Sequence, residues 1–116
     1  MTQAKIQLFD EDLQTSAELF KALAHPARLA ILKYLAETKT CITGDFAEEL
    51  PLSRTTVNQH LTELKNAELI KCHTEGVKTF YCLNIEKIQD FKKIFNIFMG
   101  EISNPENCCE QIKKFE

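Results

Sequence analysis

Along "SRTTVNQHLTELKN" (53–66) the apolar residues Val57, Leu61 and Leu64 stand at steps of four and three. Immediately afterwards, "LIKCHTEGVKTFYCL" (69–83) changes to a repeat of two. That switch of period constrains the chain more than any other feature. A repeat near 3.6 buries one face only as a helix, and a repeat of two only as a strand. The first stretch is therefore predicted as a helix with Ser53 as its N-cap. The second is predicted as two strands turning at Glu75-Gly76.

The neighbouring segments extend this pattern. Thr43 is placed to cap a short helix over 44–50, and "LPLS" reads as the turn into the helix that Ser53 starts. Two short helices on a tight turn form a helix-turn-helix, and a hairpin after it makes a winged helix. Upstream, 10–24 carries Leu13, Ala17 and Phe20 at helical spacing behind an Asp10 cap. "AHPARLAILKYLAE" follows, with Pro26 at a first helical position and Leu29, Leu32 and Leu35 as its apolar face. Near the end, Ile88, Phe91, Phe95, Phe98 and Ile102 alternate steps of three and four, a coiled-coil-like seam. So small a domain has little to cover such a stripe, which predicts a dimer interface shared with the first helix.

The expected fold is mainly α with a small β-hairpin, a winged helix-turn-helix that forms a homodimer through its first and last long helices. It is one domain, 1–116, with dimerisation helices at 10–24 and 84–102, the helix-turn-helix at 43–66, the wing at 69–83 and a cysteine-containing tail at 103–116. Only three glycines and three prolines occur in 116 residues, which favours helices over loops.

The net charge of −3 does not mark a nucleic-acid binder, so any DNA contact must come from a local patch. Residues 54, 55, 58, 59 and 62 supply one on the exposed side of the second helix: Arg54, Thr55, Asn58, Gln59 and Thr62, with Ser53 and Thr56 at its start. Asn and Gln pair with adenine in two places and Arg with guanine, and such contacts concentrate at the N-terminal part of a recognition helix. Lys65, Lys71 and Lys78 would neutralise phosphates, and Thr74 near the wing tip adds a hydrogen bond. His60, beside Leu61, reads as a packed histidine supporting the helix, and His25 and His73 as isolated non-ligands.

No nucleophile–base pair, phosphate loop or paired-acid motif is present, so no enzyme is predicted. The N-terminus lacks an apolar signal core, and no apolar run approaches the roughly 20 residues that span a bilayer. The expectation is a cytoplasmic protein without a membrane partner. Its thiols stay reduced, and five cysteines, an odd number, build no disulfide framework.

"LFKALAHPARLAILKYLAE", "LSRTTVNQHLTELKNAELI" and "GVKTFYCL" together resemble the ArsR/SmtB family of bacterial winged-helix repressors. The resemblance implies a homodimer that holds double-stranded operator DNA until an inducer releases it. That inducer is usually a metal ion or metalloid, and in some members redox state or a sulfur species. One family sensor site, Cys-x-Cys followed by Asp, is absent in its usual form. Asp45 matches, but Ile42 and Gly44 hold the cysteine positions and Cys41 stands one residue early. Another, of Asp, His and Glu on the final helix, is also absent, because 84–102 contains no histidine; zinc would then depend on sulfur or carboxylates.

With Glu75-Gly76 as the loop, Cys72 opposes Thr79 and Cys82 faces away, so within one wing the two cannot share a ligand unless the loop is one residue different. That leaves "SNPENCCEQIKK", where Asn104-Pro105 starts a short helix. Adjacent Cα atoms are about 3.8 Å apart, short of the roughly 4.4 Å an ordinary disulfide needs. Cys108 and Cys109 can instead clamp one soft ion. The resemblance makes arsenite, As(III), or antimonite, Sb(III), the first-choice inducer, with no obligatory cofactor; Cys41, from the same or the partner chain, is the candidate third ligand. This chain lacks the further C-terminal cysteine that some such repressors have. Cadmium, lead or copper(I) at the same thiols remains open, as does an oxidation or persulfide switch joining Cys41 to the pair, or an incidental tail.

Overall fold

The computed structural model describes residues 8–38, 41–43 and 50–104. Helix α1 is Glu11–Leu23, α2 Pro26–Thr38, α3 Arg54–Asn66 and α4 Ile85–Ile102; strand β1 is Ile42–Thr43, β2 Ile70–Glu75 and β3 Lys78–Leu83. The strands form one antiparallel sheet in the order β1-β3-β2. Among the described residues, no helix is long and apolar enough to cross a membrane.

Local chemistry accounts for the helix ends. The Asp10 carboxylate accepts the Asp12 amide at 3.3 Å, and the Ser53 hydroxyl accepts the Thr56 amide at 3.2 Å. Both satisfy donors that a helix start leaves orphaned. Pro26 opens α2, where His25 Nδ1 accepts the Ala27 amide at 2.9 Å. At its far end α3 closes with Glu68 in the left-handed region at φ 65°. Leu69 N–H then donates to Leu64 O, and Glu68 N–H to Lys65 O, the paired bonds of a Schellman stop. Asn84 ties that stop to α4. Its Nδ2 donates to Glu68 O at 2.8 Å while its Oδ1 accepts the Lys87 amide at 3.4 Å.

The core joins Ala22, Ile31, Leu35, Val57, Leu61, Leu64, Leu69 and Ile70. Val57, Leu61 and Leu64 are buried as their spacing requires. Two helices differ from expectation. On α1 the buried residues are Leu19 and Ala22, while Leu13 and Ala17 are exposed. On α2 Leu35 is buried and Leu32 packs against the core as expected, but Ala27 and Ile31 complete the buried face and Leu29 is exposed. Each helix carries apolar side chains on more than one face, and packing against α3 turned α1 away from its predicted stripe and moved the N-terminal half of the α2 face from Leu29 to Ala27 and Ile31.

The seam on α4 is divided. Ile88 packs against the core. The rings of Phe91, Phe95 and Phe98 surround Phe20 of α1 at centroid distances of 5.7, 6.1 and 5.8 Å. Even so, no residue of α4 is fully buried.

The wing loop is Gly76-Val77 rather than Glu75-Gly76: Glu75 pairs with Lys78, Thr74 with Thr79 and Cys72 with Tyr81. Gly76 has φ 64°, and two-residue hairpins favour glycine where the first loop residue needs positive φ. The pairing therefore moves by two residues. A shift of two preserves the alternation of faces, so Cys72 and Cys82 still point to opposite sides.

Thr43 lies in β1, opposite Phe80. The short helix predicted over 44–50 falls almost wholly outside the described residues, as do Cys108, Cys109 and nearly all of the tail.

Candidate nucleic-acid interface

The exposed side of α3 presents Arg54, Thr55, Asn58, Gln59, Thr62 and Lys65 to solvent. The Ser53 cap holds this helix start, and its hydroxyl also bonds the Thr56 hydroxyl at 2.9 Å. Ser53 and half-buried Thr56 are thus engaged in shaping the first turn. The Thr62 hydroxyl donates back to Asn58 O at 2.9 Å.

Facing that turn stands the wing. A cleft of about 230 Å³ runs between them, lined by Thr43, Arg54, Asn58, Val77, Lys78, Thr79 and Tyr81. Arg54 and Lys78 give it a positive character, and the hydroxyls and the Asn58 amide give it hydrogen-bonding groups. Such a set can bind phosphate oxygens and base edges together. Thr74 and Lys71 are exposed on β2.

Thr43, Val77, Thr79 and Tyr81 escaped the sequence reading. Thr79 and Tyr81 share a strand face, which the corrected hairpin register would have exposed. Thr43 joins them only because β1 pairs with β3, and nothing local signals a two-residue strand.

Behind the exposed face, His60 anchors α3. It is 8% exposed, and Arg28 Nε donates to its Nδ1 at 3.1 Å. Arg28 also donates through Nη1 to the carbonyls of Lys21 and Ala22, both at 3.2 Å. One guanidinium thus joins the C-terminal end of α1 to the middle of α3. Burial lowers the His60 pKa, with nearby His25 and Arg28 lowering it further and Glu63 opposing. His25 is not isolated as expected. Its ring lies 4.2 Å from that of His60, centroid to centroid, an approach across two elements that sequence spacing does not report. His73 stacks on Phe80 at 5.3 Å.

Among the described residues, no group of three or more His, Cys, Asp or Glu side chains could hold a metal ion. Cys41 and Cys82 form a disulfide, their Cα atoms 4.4 Å apart, which corrects the expectation of wholly reduced thiols. The strand pairing that joins Ile42 to Tyr81 brings Cys41 opposite Cys82 on the next rung. While that bond stands, Cys41 offers no thiolate for the third-ligand role assigned to it. Cys72 is free and half-buried.

Residues 23–73 match the model of a helix-turn-helix domain family. An uncharacterised HTH-type transcriptional regulator of Methanocaldococcus jannaschii is 34% identical over 84 residues, covering 72% of this chain and 94% of that protein. The transcriptional repressor PagR of Bacillus anthracis is 32% identical over 84 residues, covering 72% and 84%. Among solved structures, an ArsR-like transcriptional regulator from Rhodococcus sp. RHA1 superposes with a TM-score of 0.69 at 21% identity, over 90% of this chain and 97% of that one. A possible transcriptional regulator for arsenical resistance superposes at 0.62 with 26% identity, over 68% and 81%. Helix order, wing and sequence agree: the chain belongs to the ArsR/SmtB family of winged-helix transcriptional regulators, DNA-binding proteins rather than enzymes.

Proposed function

We propose that the protein is a homodimeric repressor that holds double-stranded operator DNA until a thiol-binding inducer, As(III) first, weakens its grip. The observation that carries the DNA contact is the cleft in which Arg54 and Asn58 of α3 face Lys78 and Thr79 of the wing. Ser53, Thr55, Thr56, Gln59, Thr62 and Lys65 complete the helix side, and Thr74 the wing side. Asn58 and Gln59 read bases while Lys65 and Lys78 meet phosphates.

The pairing of subunits rests on α4, the domain's longest helix, which buries none of its residues fully. Phe95 is 43%, Ile102 60% and Leu13 of α1 50% exposed, an apolar surface suited to a second copy. Ile88, Phe91 and Phe98 support it from beneath. Two subunits would then present two α3 helices to successive major grooves.

A mobility-shift titration against duplex from upstream of the protein's own gene tests the reading. A sequence-specific shift that weakens steeply with salt is expected. Absence of any preferred duplex would refute it. For the inducer, Cys108→Ser and Cys109→Ser should each bind operator yet ignore arsenite. Normal responses in both would exclude the tail pair.

A thiol-redox inducer in place of the metalloid is the second reading. The Cys41–Cys82 bond favours it, since it places on the wing itself a sulfur pair whose reduction would be the releasing signal.

A further inference from the structure

We infer that Cys41 and Cys82 are a reversible dithiol/disulfide pair whose oxidation clamps β1 to the wing and tightens the hold on DNA. The inference rests on the proposed DNA contact and gives its redox form a location other than the tail.

Four observations converge on it. First, the pair is made by sheet geometry. β1 and β3 pair Thr43 with Phe80 and Ile42 with Tyr81, and Cys41 meets Cys82 one rung further on. Second, without that bond β1 is held by the Ile42 side chain against the core and by its short pairing with β3. It is two residues long and lies at the sheet edge, bonded to β3 alone. Third, both strands supply the candidate interface. Thr43 follows Cys41 by two residues, Tyr81 precedes Cys82 by one, and both line the cleft with Arg54, Asn58 and Lys78. Fourth, Cys41 is exposed and Cys82 half-buried, so a small thiol or disulfide can reach the pair.

The exchange balances with a low-molecular-weight disulfide such as oxidised glutathione. The Cys41 thiolate attacks one glutathione sulfur, forming a mixed disulfide and expelling one glutathione thiolate. The Cys82 thiolate then attacks Cys41 Sγ and expels the second. The protein dithiol is oxidised by two electrons, the glutathione disulfide is reduced by two, and the two protein thiol protons end on the two released glutathiones. Excess reduced glutathione runs the steps backwards. Disulfides of intracellular proteins, where they occur, are usually of this transient kind.

The oxidised form should bind more tightly. The bond joins residues 41 apart in sequence and so fixes β1 against β3, with α3 lying wholly between the joined residues. Holding both walls of the cleft in place before DNA arrives spares the complex that ordering cost. Reduction releases β1 and lets Thr43 leave the wall. Cys72, across the sheet from Cys82's face, takes no part.

The experiment uses the full chain equilibrated in glutathione buffers of graded oxidation. Each sample is split between non-reducing peptide mapping and operator binding. A peptide joining Cys41 to Cys82 should rise with oxidation, and affinity should rise with it by at least about fivefold, the low end of ordinary coupling between sites. Cys41→Ser and Cys82→Ser should bind at the weaker level under every buffer, while Cys72→Ser should respond as the parent does. The proposal is overturned if no such peptide forms, if affinity changes by less than about twofold across the series, or if either serine variant keeps the response. Loss of preferred duplex binding in all buffers, with the peptide still forming, would sink the DNA reading and the switch's effect with it. The joined peptide reports on the bond independently and separates the two failures.

Discussion

Arg28 Nε donates to His60 Nδ1 at 3.1 Å, joining the helix before the helix-turn-helix to the buried side of the candidate recognition helix. That bond requires His60 Nδ1 to carry no proton. Arg28 in turn is held by the carbonyls of Lys21 and Ala22, so the orientation of α3 depends on a neutral imidazole.

Stability should therefore fall on acidification. Burial first, then His25 and Arg28, lower the His60 pKa below 6.5, so the unfolded chain binds this proton more readily than the folded one. Stability from this group is complete above pH 6.5 and is lost as pH falls from there toward the depressed value. Urea unfolding of the parent and of His60→Gln across that window should show a shallower slope in the variant. An equal slope would remove His60 as the cause.

Asn84→Ala should cost about 1–2 kcal/mol, because it removes both the α4 cap and the donor to Glu68 O. Asn84→Asp keeps the cap and loses only the donor, so its loss should be smaller. Denaturant midpoints at constant slope will rank the three proteins.

Glu68→Gly should stabilise the domain by on the order of 0.5–1 kcal/mol. Glu68 holds φ 65°, a region that costs a residue with a Cβ about 1–2 kcal/mol, part of which glycine returns as unfolded-state entropy. The ion pair it forfeits with Lys87 spans 3.8 Å with Glu68 well exposed and contributes little. Thermal unfolding reads the sign directly.

Asn58→Ala and Lys78→Ala should separate two kinds of contact. Asn58→Ala should cost about 1–3 kcal/mol on the preferred duplex and relax the choice of base. Lys78→Ala should weaken all duplexes alike and reduce the salt slope by about one. Identical profiles for both would contradict the roles assigned.

Ile102→Asp should give protomers by sedimentation equilibrium and weaken operator binding, with helix content unchanged by circular dichroism. Ile102 is 60% exposed, so a charge there is tolerated in the lone chain and expelled from an apolar contact between copies. A variant that sediments as the parent does would place the contact elsewhere.

The second helix of the helix-turn-helix and the wing were legible because their signals are short-range. Asp10 and Ser53 cap the helices whose starts they mark, and Val57, Leu61 and Leu64 are buried at the spacing they display. The wing register missed by two residues because Glu75-Gly76 and Gly76-Val77 both place glycine in a tight turn. Only the demand for positive φ at the first loop position separates them.

Local periodicity and capping thus settled helices α1 to α4 and strands β2 and β3, along with the polar face that α3 turns outward, because those properties depend on residues within a turn or two of each other. Packing over long range settled the rest: Leu19 and Ala22 rather than Leu13 and Ala17 facing inward on α1, β1 on the wing edge, Arg28 beneath His60, and Cys41 against Cys82. Each of these is an approach between residues distant along the chain. No spacing within either segment encodes it, and it exists only once the shared core has brought the elements together.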